Sequence, residues 1–412
     1  MRMTALLAER TSQPTRSPFA FWTVTAAIAL ALAASGTPSP LYVDYQARWH
    51  FSATTLTVVY ALYAGGVVIT LLFAGGLSDR IGRRPVLIGS VLGLLGSLVL
   101  FLLADNAVWL CVARLVQGLA TGVFTGAASA ALTDLHPRRD SRIAALVNST
   151  STSMGIAVGA VVSGALAQWA PWPLVTPYAL LMVLGVVLLA VVVVKVPETV
   201  PHREKVRLLR PQRIGVPASM RGTFLIGCLG VLAAWSVGGL YLALGGSLAK
   251  ELLHIDNHLV AGIVILSVQG VGGLSQLALT HLSGRDASVL GCVALITGMA
   301  TVALSVFLTS APLFLLGDVI TGAGFGLAFM GGTRLVTQAA PAAQRGQVLA
   351  SFFVVAYLAI SVPVIGAGVV TTRIGLSATF YVFAAVMAVV ALITLVSTKL
   401  TGREPRTSPP TR

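Results

Sequence analysis

Long apolar runs, each able to cross a hydrocarbon core about 30 Å thick, recur along this whole chain. They fall at 19–43, 54–76, 85–104, 107–133, 142–168, 174–195, 221–249, 259–281, 287–309, 312–336, 345–370 and 376–399. In lipid a backbone must satisfy its own hydrogen bonds, so each run is expected as a helix. The runs are too long and too uniformly apolar for the short alternating strands of a barrel. Composition agrees: 10% of residues are charged and 56% hydrophobic, whereas soluble domains carry about a quarter charged residues. The expected fold class is an all-α polytopic membrane protein with twelve transmembrane helices.

The net charge of +14 raises the question of a nucleic-acid partner, but its placement answers it. Arg80, Arg83 and Arg84 follow the second run, and Arg138, Arg139 and Arg142 follow the fourth. Arg203, Lys205, Arg207, Arg210 and Arg213 follow the sixth, while the intervening loops supply only Arg48, Lys250 and Arg373. This one-sided bias predicts a multi-pass protein of the cytoplasmic (inner) membrane with both termini in the cytoplasm and no nucleic-acid partner. No cleaved leader is read before the first span. Cys111, Cys228 and Cys292 all lie in spans and read as packing residues.

The chain divides into a cytoplasmic tail (1–17), a six-helix half (18–195), a proline-rich basic linker (196–220), a second six-helix half (221–399) and a short tail (400–412). Shifted by 204 residues, the fourth span lies on the tenth: Gly118 falls on Gly322, Gly122 on Gly326 and Pro137 on Pro341. Two six-span halves in parallel orientation form a repeat pattern of secondary transporters, with the substrate expected between the halves.

The loop after the second span reads "GGLSDRIGRRP". Its Gly75, Leu77, Ser78, Asp79, Arg80, Gly82, Arg83 and Arg84 match the loop between helices 2 and 3 of the major facilitator superfamily. With its helix count, linker and repeat, the whole chain resembles that superfamily, closest in motif pattern to bacterial proton-coupled exporters of drugs or metabolites. The resemblance implies two pseudo-symmetric six-helix bundles and a loop that latches their cytoplasmic ends. The expected partner of that loop is the start of the eleventh span, near Arg345 and Gly346. Physically, Gly75 is expected to let helix ends approach, Gly82 to permit a tight turn, and Asp79 to meet a helix N-terminus or an arginine. The alternative is a solvated, orientation-setting loop, which explains the arginines but not the glycines and Asp79.

"RLVQG", Arg114 to Gly118, resembles the superfamily's Arg-x-x-x-Gly motif in helix 4. Arg114 is expected about 10 Å inside the outer end of its helix, at about 1.5 Å per residue. Gln117, Thr121 and Thr125 share its face. A charge at that depth faces protein or a water-filled cavity, so Arg114 is either a working group or a structural partner within its own half. At the repeat-equivalent position stands Asp318, the one acid well inside a span. It is a proton-coupling candidate with Arg114, or else a buried ion pair or a polar cap. Arg334 is expected to snorkel towards the cytoplasm.

In the fifth span Gly155, Gly159 and Gly164 resemble the antiporter motif of drug-exporting members, but Ala160 stands where that motif has proline and Ser163 where it has glycine. Close helix packing explains the same small residues. Asn148, Trp235, Tyr241, Gln269, Gln276 and Tyr357 complete the set of substrate-cavity candidates, with Gln117, Thr121 and Thr125. Pro38, Pro40 and Asp44 mark a kink or gate in the first span. His254 and His258 have metal-like spacing without a third ligand, so no metal site is expected. No GxxxxGK[ST] loop appears, and no cofactor is expected.

The functional expectation is a monomeric secondary transporter for a small organic solute, with proton coupling implied by the resemblance. A cavity lined by apolar, Ser/Thr and Gln groups favours export of a drug-like or amphipathic metabolite. Uptake of a sugar or other small metabolite is the alternative, and a solute receptor the remote one. An enzyme is not expected, since the ionisable residues within spans are too few and too separated to form a site.

Overall fold

A computed structural model describes residues 17–138, 141–200, 214–252 and 255–401. Among these residues all regular structure is helical: fourteen α-helices and two short 3-10 turns. Twelve segments are long and apolar enough to cross a membrane. The first is a broken helix, α1 (Pro18–Gly36) running into α2 (Pro38–Trp49). Then come α3 (Ala53–Ala74), the short α4 (Leu77–Ile81), α5 (Arg83–Leu102), α6 (Ala107–Leu135), α7 (Ser141–Trp169) and α8 (Thr176–Lys195). The second half holds α9 (Arg221–Leu252), α10 (His258–Ala278), α11 (Gly284–Phe307), α12 (Ala311–Ala339), α13 (Arg345–Ile374) and α14 (Leu376–Thr401).

Local chemistry sets the helix starts. Ser17, Ser52, Asn106 and Asn257 each turn a side-chain oxygen onto the first free N–H groups of the following helix. The first span runs further than the sequence predicts, to Trp49 rather than residue 43. Thr37 keeps helical angles (φ −54°, ψ −42°), and Pro38 takes the first position of a new helix, where its missing N–H is tolerated. The chain therefore bends there instead of ending.

The internal repeat is visible in the backbone. Helices α6 and α12 are both 29 residues long and begin at Ala107 and Ala311, the offset read from the sequence. Helices α7 and α13 begin at Ser141 and Arg345, in the same register. Within each half, small residues let backbones touch: a methyl group at Gly159 would collide with the Ala33 backbone of α1, and one at Gly118 with Tyr63 of α3. Exposed valines such as Val183, Val187 and Val194 on α8, and Val382, Val389 and Val396 on α14, form an apolar outer surface suited to lipid. The protein is an integral, multi-pass membrane protein.

The two halves meet along two seams, α3 against α13 and α7 against α10. The loop Gly75–Arg84 marks one end of the assembly, here called the basic end. At the opposite, far end α2 also packs against α9 and α10.

Gly159→Val is expected to cost about 1–3 kcal/mol by overpacking, lowering the thermal unfolding midpoint in detergent. At Gly96 an added methyl meets open space, so Gly96→Ala should leave the midpoint unchanged or slightly raised.

Candidate functional site

The basic-end loop is a clamp built within the first half and the start of the linker. Gly82 adopts φ +108°, a conformation that favours glycine, and a methyl group there would strike the Glu198 carboxylate. That carboxylate caps α5: Oε1 accepts from the Arg83 backbone N–H at 2.9 Å, and from the N–H groups of Thr199 (3.0 Å) and Val200 (3.1 Å). The Arg83 guanidinium donates to Ser78 Oγ at 2.7 Å, to Asp79, and to Asp134 Oδ2 of α6 at 3.3 Å. Thr199 Oγ1 donates to Asp134 Oδ2 at 2.9 Å. Arg84 reaches the Val193 carbonyl of α8. Leu77 packs against the apolar core of the first half, while Arg80 is exposed.

Two expectations change here, and the pairing of Asp79 with an arginine holds. Arg345 and Gly346, expected to receive the loop, are exposed at the start of α13; the partners just named lie in the loop's own half or in the first residues of the linker that follows it. Gly75 is exposed with ordinary helical angles (φ −57°), so glycine is needed at Gly82 and not there. The helix N-terminus is held by Glu198, while Asp79 pairs with Arg83 one turn away. Sequence reasoning passed over Glu198; the signal was an acid opening a basic linker, directly after the sixth span.

The second constellation grows from the break in the first span. Pro38 has no N–H, so the Ala34 carbonyl loses its helical donor. Gln117 Nε2 supplies one at 2.9 Å. Arg114 Nη1 donates to the Ser35 carbonyl at 3.0 Å and to Gln117 Oε1 at 2.7 Å, and Arg114 Nε donates to Tyr42 Oη at 2.7 Å. Ser163 of α7 donates to the Thr37 carbonyl at 2.7 Å. The rings of Tyr42, Tyr60, Tyr63 and Phe101 lie 5.5, 5.9, 5.7 and 5.9 Å from the guanidinium carbon, within cation–π range. Arg114 is fully buried, and among the described residues it has no ion-pair partner.

The second half repeats this plan with the charge reversed. Asp318, on α12 at the position matching Arg114, is fully buried. Tyr241 Oη of α9 donates to its Oδ1 at 2.5 Å, and Ser267 Oγ of α10 lies 3.5 Å from Oδ2. In each half a charge on the fourth helix is bound to a tyrosine from the first. Among the described residues Asp318 also has no ion-pair partner, so the two charges are not paired with each other.

The remaining candidates separate by location. Gln117, Thr121 and Tyr241 are fully buried, and Gln117 and Tyr241 are held inside their own halves, so they face no open cavity in this state. Thr125 donates back to Gly122 of its own helix at 3.2 Å. Gln276 sits in a seam, accepting from Ser149 Oγ of α7 at 2.8 Å; Gln269 is buried on the same helix and Asn148 half-buried on α7. Trp235 and Tyr357 meet edge-to-face at 5.2 Å, both half-buried. Gly155 and Gly159 admit α1, whereas Gly164 admits the His258 backbone of α10. Arg334 reaches the loop at the basic end, as expected, and donates there to the Thr280 carbonyl at 3.0 Å and to the Leu282 carbonyl, beyond the end of α10.

At the far end His258 ties the halves together. Its Nε2 lies 2.8 Å from Asp44 Oδ2 of α2, and its Nδ1 3.3 Å from Gln168 Oε1 of α7. His254 lies outside the described residues.

Two pseudo-symmetric bundles of membrane helices, each with one buried charge on its fourth helix, define the fold of a two-bundle membrane transporter. The sequence profile of the Major Facilitator Superfamily matches residues 23–363, and the chain belongs to that superfamily. Members of this family are transporters, not enzymes. Among curated relatives, the multidrug resistance protein MdtL of Shewanella sp. (strain ANA-3) is 32% identical over 121 residues, which are 29% of this chain and 30% of that protein. The gentisate transporter of Corynebacterium glutamicum is 32% identical over 116 residues, 28% of this chain and 26% of that protein. The alignments thus span less than a third of these relatives' length. A bacterial homologue of the human lysosomal transporter Spinster, solved inward-facing and unoccupied, superposes with a TM-score of 0.71 at 13% identity, covering 96% of this chain and 100% of that one. The human organic anion transporter MFSD10 gives 0.66 at 17% identity, covering 94% and 100%. These likenesses concern the fold.

Glu198→Ala strips the acceptor from three N–H groups and should cost about 1–2 kcal/mol, as for a lost helix cap. Asp79→Asn, at an exposed pair, should cost less than about 1 kcal/mol. Thermal unfolding of both variants in detergent checks the order; a larger effect at Asp79 would move the anchor of the clamp there.

Proposed function

We propose that the protein is a proton-coupled secondary transporter that exports small amphipathic organic compounds by rocking of its two bundles. In this reading the bundles are residues 18–195 and 221–399, and the protein works as a monomer in the cytoplasmic membrane. The basic end and both termini face the cytoplasm, as the loop arginines favour.

The observation that carries the reading is the setting of Asp318. A carboxyl group held by the Tyr241 hydroxyl, with Ser267 Oγ 3.5 Å away, can gain or lose a proton without breaking an ion pair, and its seat on α12 borders α9 and α10. Asp318 is then the proton carrier, and Tyr241 and Ser267 position it. The far end is tied by Asp44, His258 and Gln168, while the start of α13 is exposed at the basic end, which supports a state that faces the cytoplasm. Similarity to multidrug resistance proteins supports export. Similarity to a gentisate transporter supports a second reading, uptake of a small organic metabolite through the same cycle. A drug-susceptibility panel set beside radiolabelled uptake separates the two.

Asp318→Asn in proteoliposomes is expected to abolish concentrative flux driven by an imposed proton gradient, while solute exchange down its own gradient persists. Wild-type proton-driven flux in that variant would remove Asp318 from the mechanism.

A further inference from the structure

Arg114 is a permanent cation, because a guanidinium does not deprotonate in proteins. It sits fully buried on α6, two turns from the far end. Its hydrogen-bond acceptors are Tyr42 Oη, the Ser35 carbonyl and Gln117 Oε1, which are all neutral. Its Nη2 has no acceptor among the described residues. Buried arginines inside membranes pair with a carboxylate or another strong acceptor, because an uncompensated charge there is costly. The acid at the matching depth, Asp318, is held by Tyr241 and Ser267 in the other bundle. Asp44 on α2 is engaged by His258. The charge and the free N–H groups of Nη2 therefore await an anion that the described chain does not supply.

The surroundings say which kind. Four aromatic rings enclose the guanidinium, and two of them, Tyr60 and Tyr63, belong to α3, the helix that forms a seam with α13. Across that seam α13 carries Tyr357, next to Trp235, whose indole N–H also lacks an acceptor among the described residues. A wall of rings with free donors on both sides suits an apolar or aromatic body bearing one negative group. In the proposed rocking it is α13, across the seam, that moves relative to this wall.

We propose that Arg114 is the anchor for the carboxylate of an apolar or aromatic organic acid, received through Nη2 beside Tyr60 and Tyr63 as α13 draws away from α3. This names the substrate class of the transporter proposed above and rests on that reading only for the step that moves the acid. One bidentate or single charge-assisted bond completes the guanidinium, while the rings hold the apolar body.

The test compares 2-naphthoate with neutral 2-naphthamide, by concentration-dependent shifts in thermal unfolding of the full-length protein in nanodiscs. Sodium chloride and sodium sulfate at equal ionic strength are further arms. Stabilisation by naphthoate over naphthamide, weakened on the order of 30-fold or more in Arg114→Gln, supports the site. Equal responses to acid and amide, or undiminished naphthoate binding in Arg114→Gln, overturn it. A response to chloride or sulfate that matches naphthoate overturns the organic-acid assignment. If Arg114→Gln does not reconstitute, the wild-type acid–amide comparison decides alone. Arg114-dependent naphthoate binding without any proton-driven flux sustains this site and refutes proton coupling. Proton-driven flux of neutral amphipaths without naphthoate binding does the reverse.

Discussion

The bend at Thr37–Pro38 organises the first half of this molecule. A proline inside a membrane helix removes one donor, and lipid offers no water to replace it. The Ala34 carbonyl is answered from α6 by Gln117, and Arg114 beside it takes the Ser35 carbonyl. Ser163 answers Thr37 from α7. A single backbone defect thus fixes how three helices meet, and it draws a permanent cation into the core. Ser163 stands where the antiporter motif has glycine, and here its hydroxyl makes one of those bonds.

Arg114 and Asp318 take their hydrogen bonds from within their own bundles, and Nη2 of Arg114 is left without an acceptor among the described residues. Arg114 bonds to α1, α2 and α6, and Asp318 to α9 and α10. The clamp of Arg83, Asp134 and Glu198 likewise stays in the first half and the start of the linker. What crosses the seams is lighter: close backbone contacts at Gly164, Gly262 and Gly368, the Ser149–Gln276 bond, and the Asp44–His258–Gln168 tie at the far end. Breaking those contacts strands no buried ion. In the proposed rocking cycle the seams part without breaking the hydrogen bonds that hold Arg114 and Asp318.

Much of this was legible before any coordinates. Span length and apolarity located the twelve helices, and the match of Gly118 to Gly322 anticipated the shared register of α6 and α12. The loop motif pointed to the right turn and the right residue types. Its partners were not legible, because Glu198 and Arg83 lie 115 residues apart and Asp44 and His258 lie 214 apart. Such pairings are decided by how helices pack, which periodicity does not encode. Helical spacing placed Gln117 on the same face as Arg114. It could not show that this face turns towards the carbonyls freed by Pro38 instead of towards a cavity. Gly75 and Gly82 looked alike in the motif, and only the backbone angle at Gly82 separates them.

Alternating movement of the two bundles is most directly tested by paired distance measurements between spin labels on the purified, reconstituted protein. Exposed sites are available at both ends: Arg80 with Gly346 at the basic end, and Ser52 with Arg373 at the far end. As pH or a transported solute is varied, the basic-end distance should shorten whenever the far-end distance lengthens. Distances that rise and fall together, or that never change, would contradict rocking about a central site.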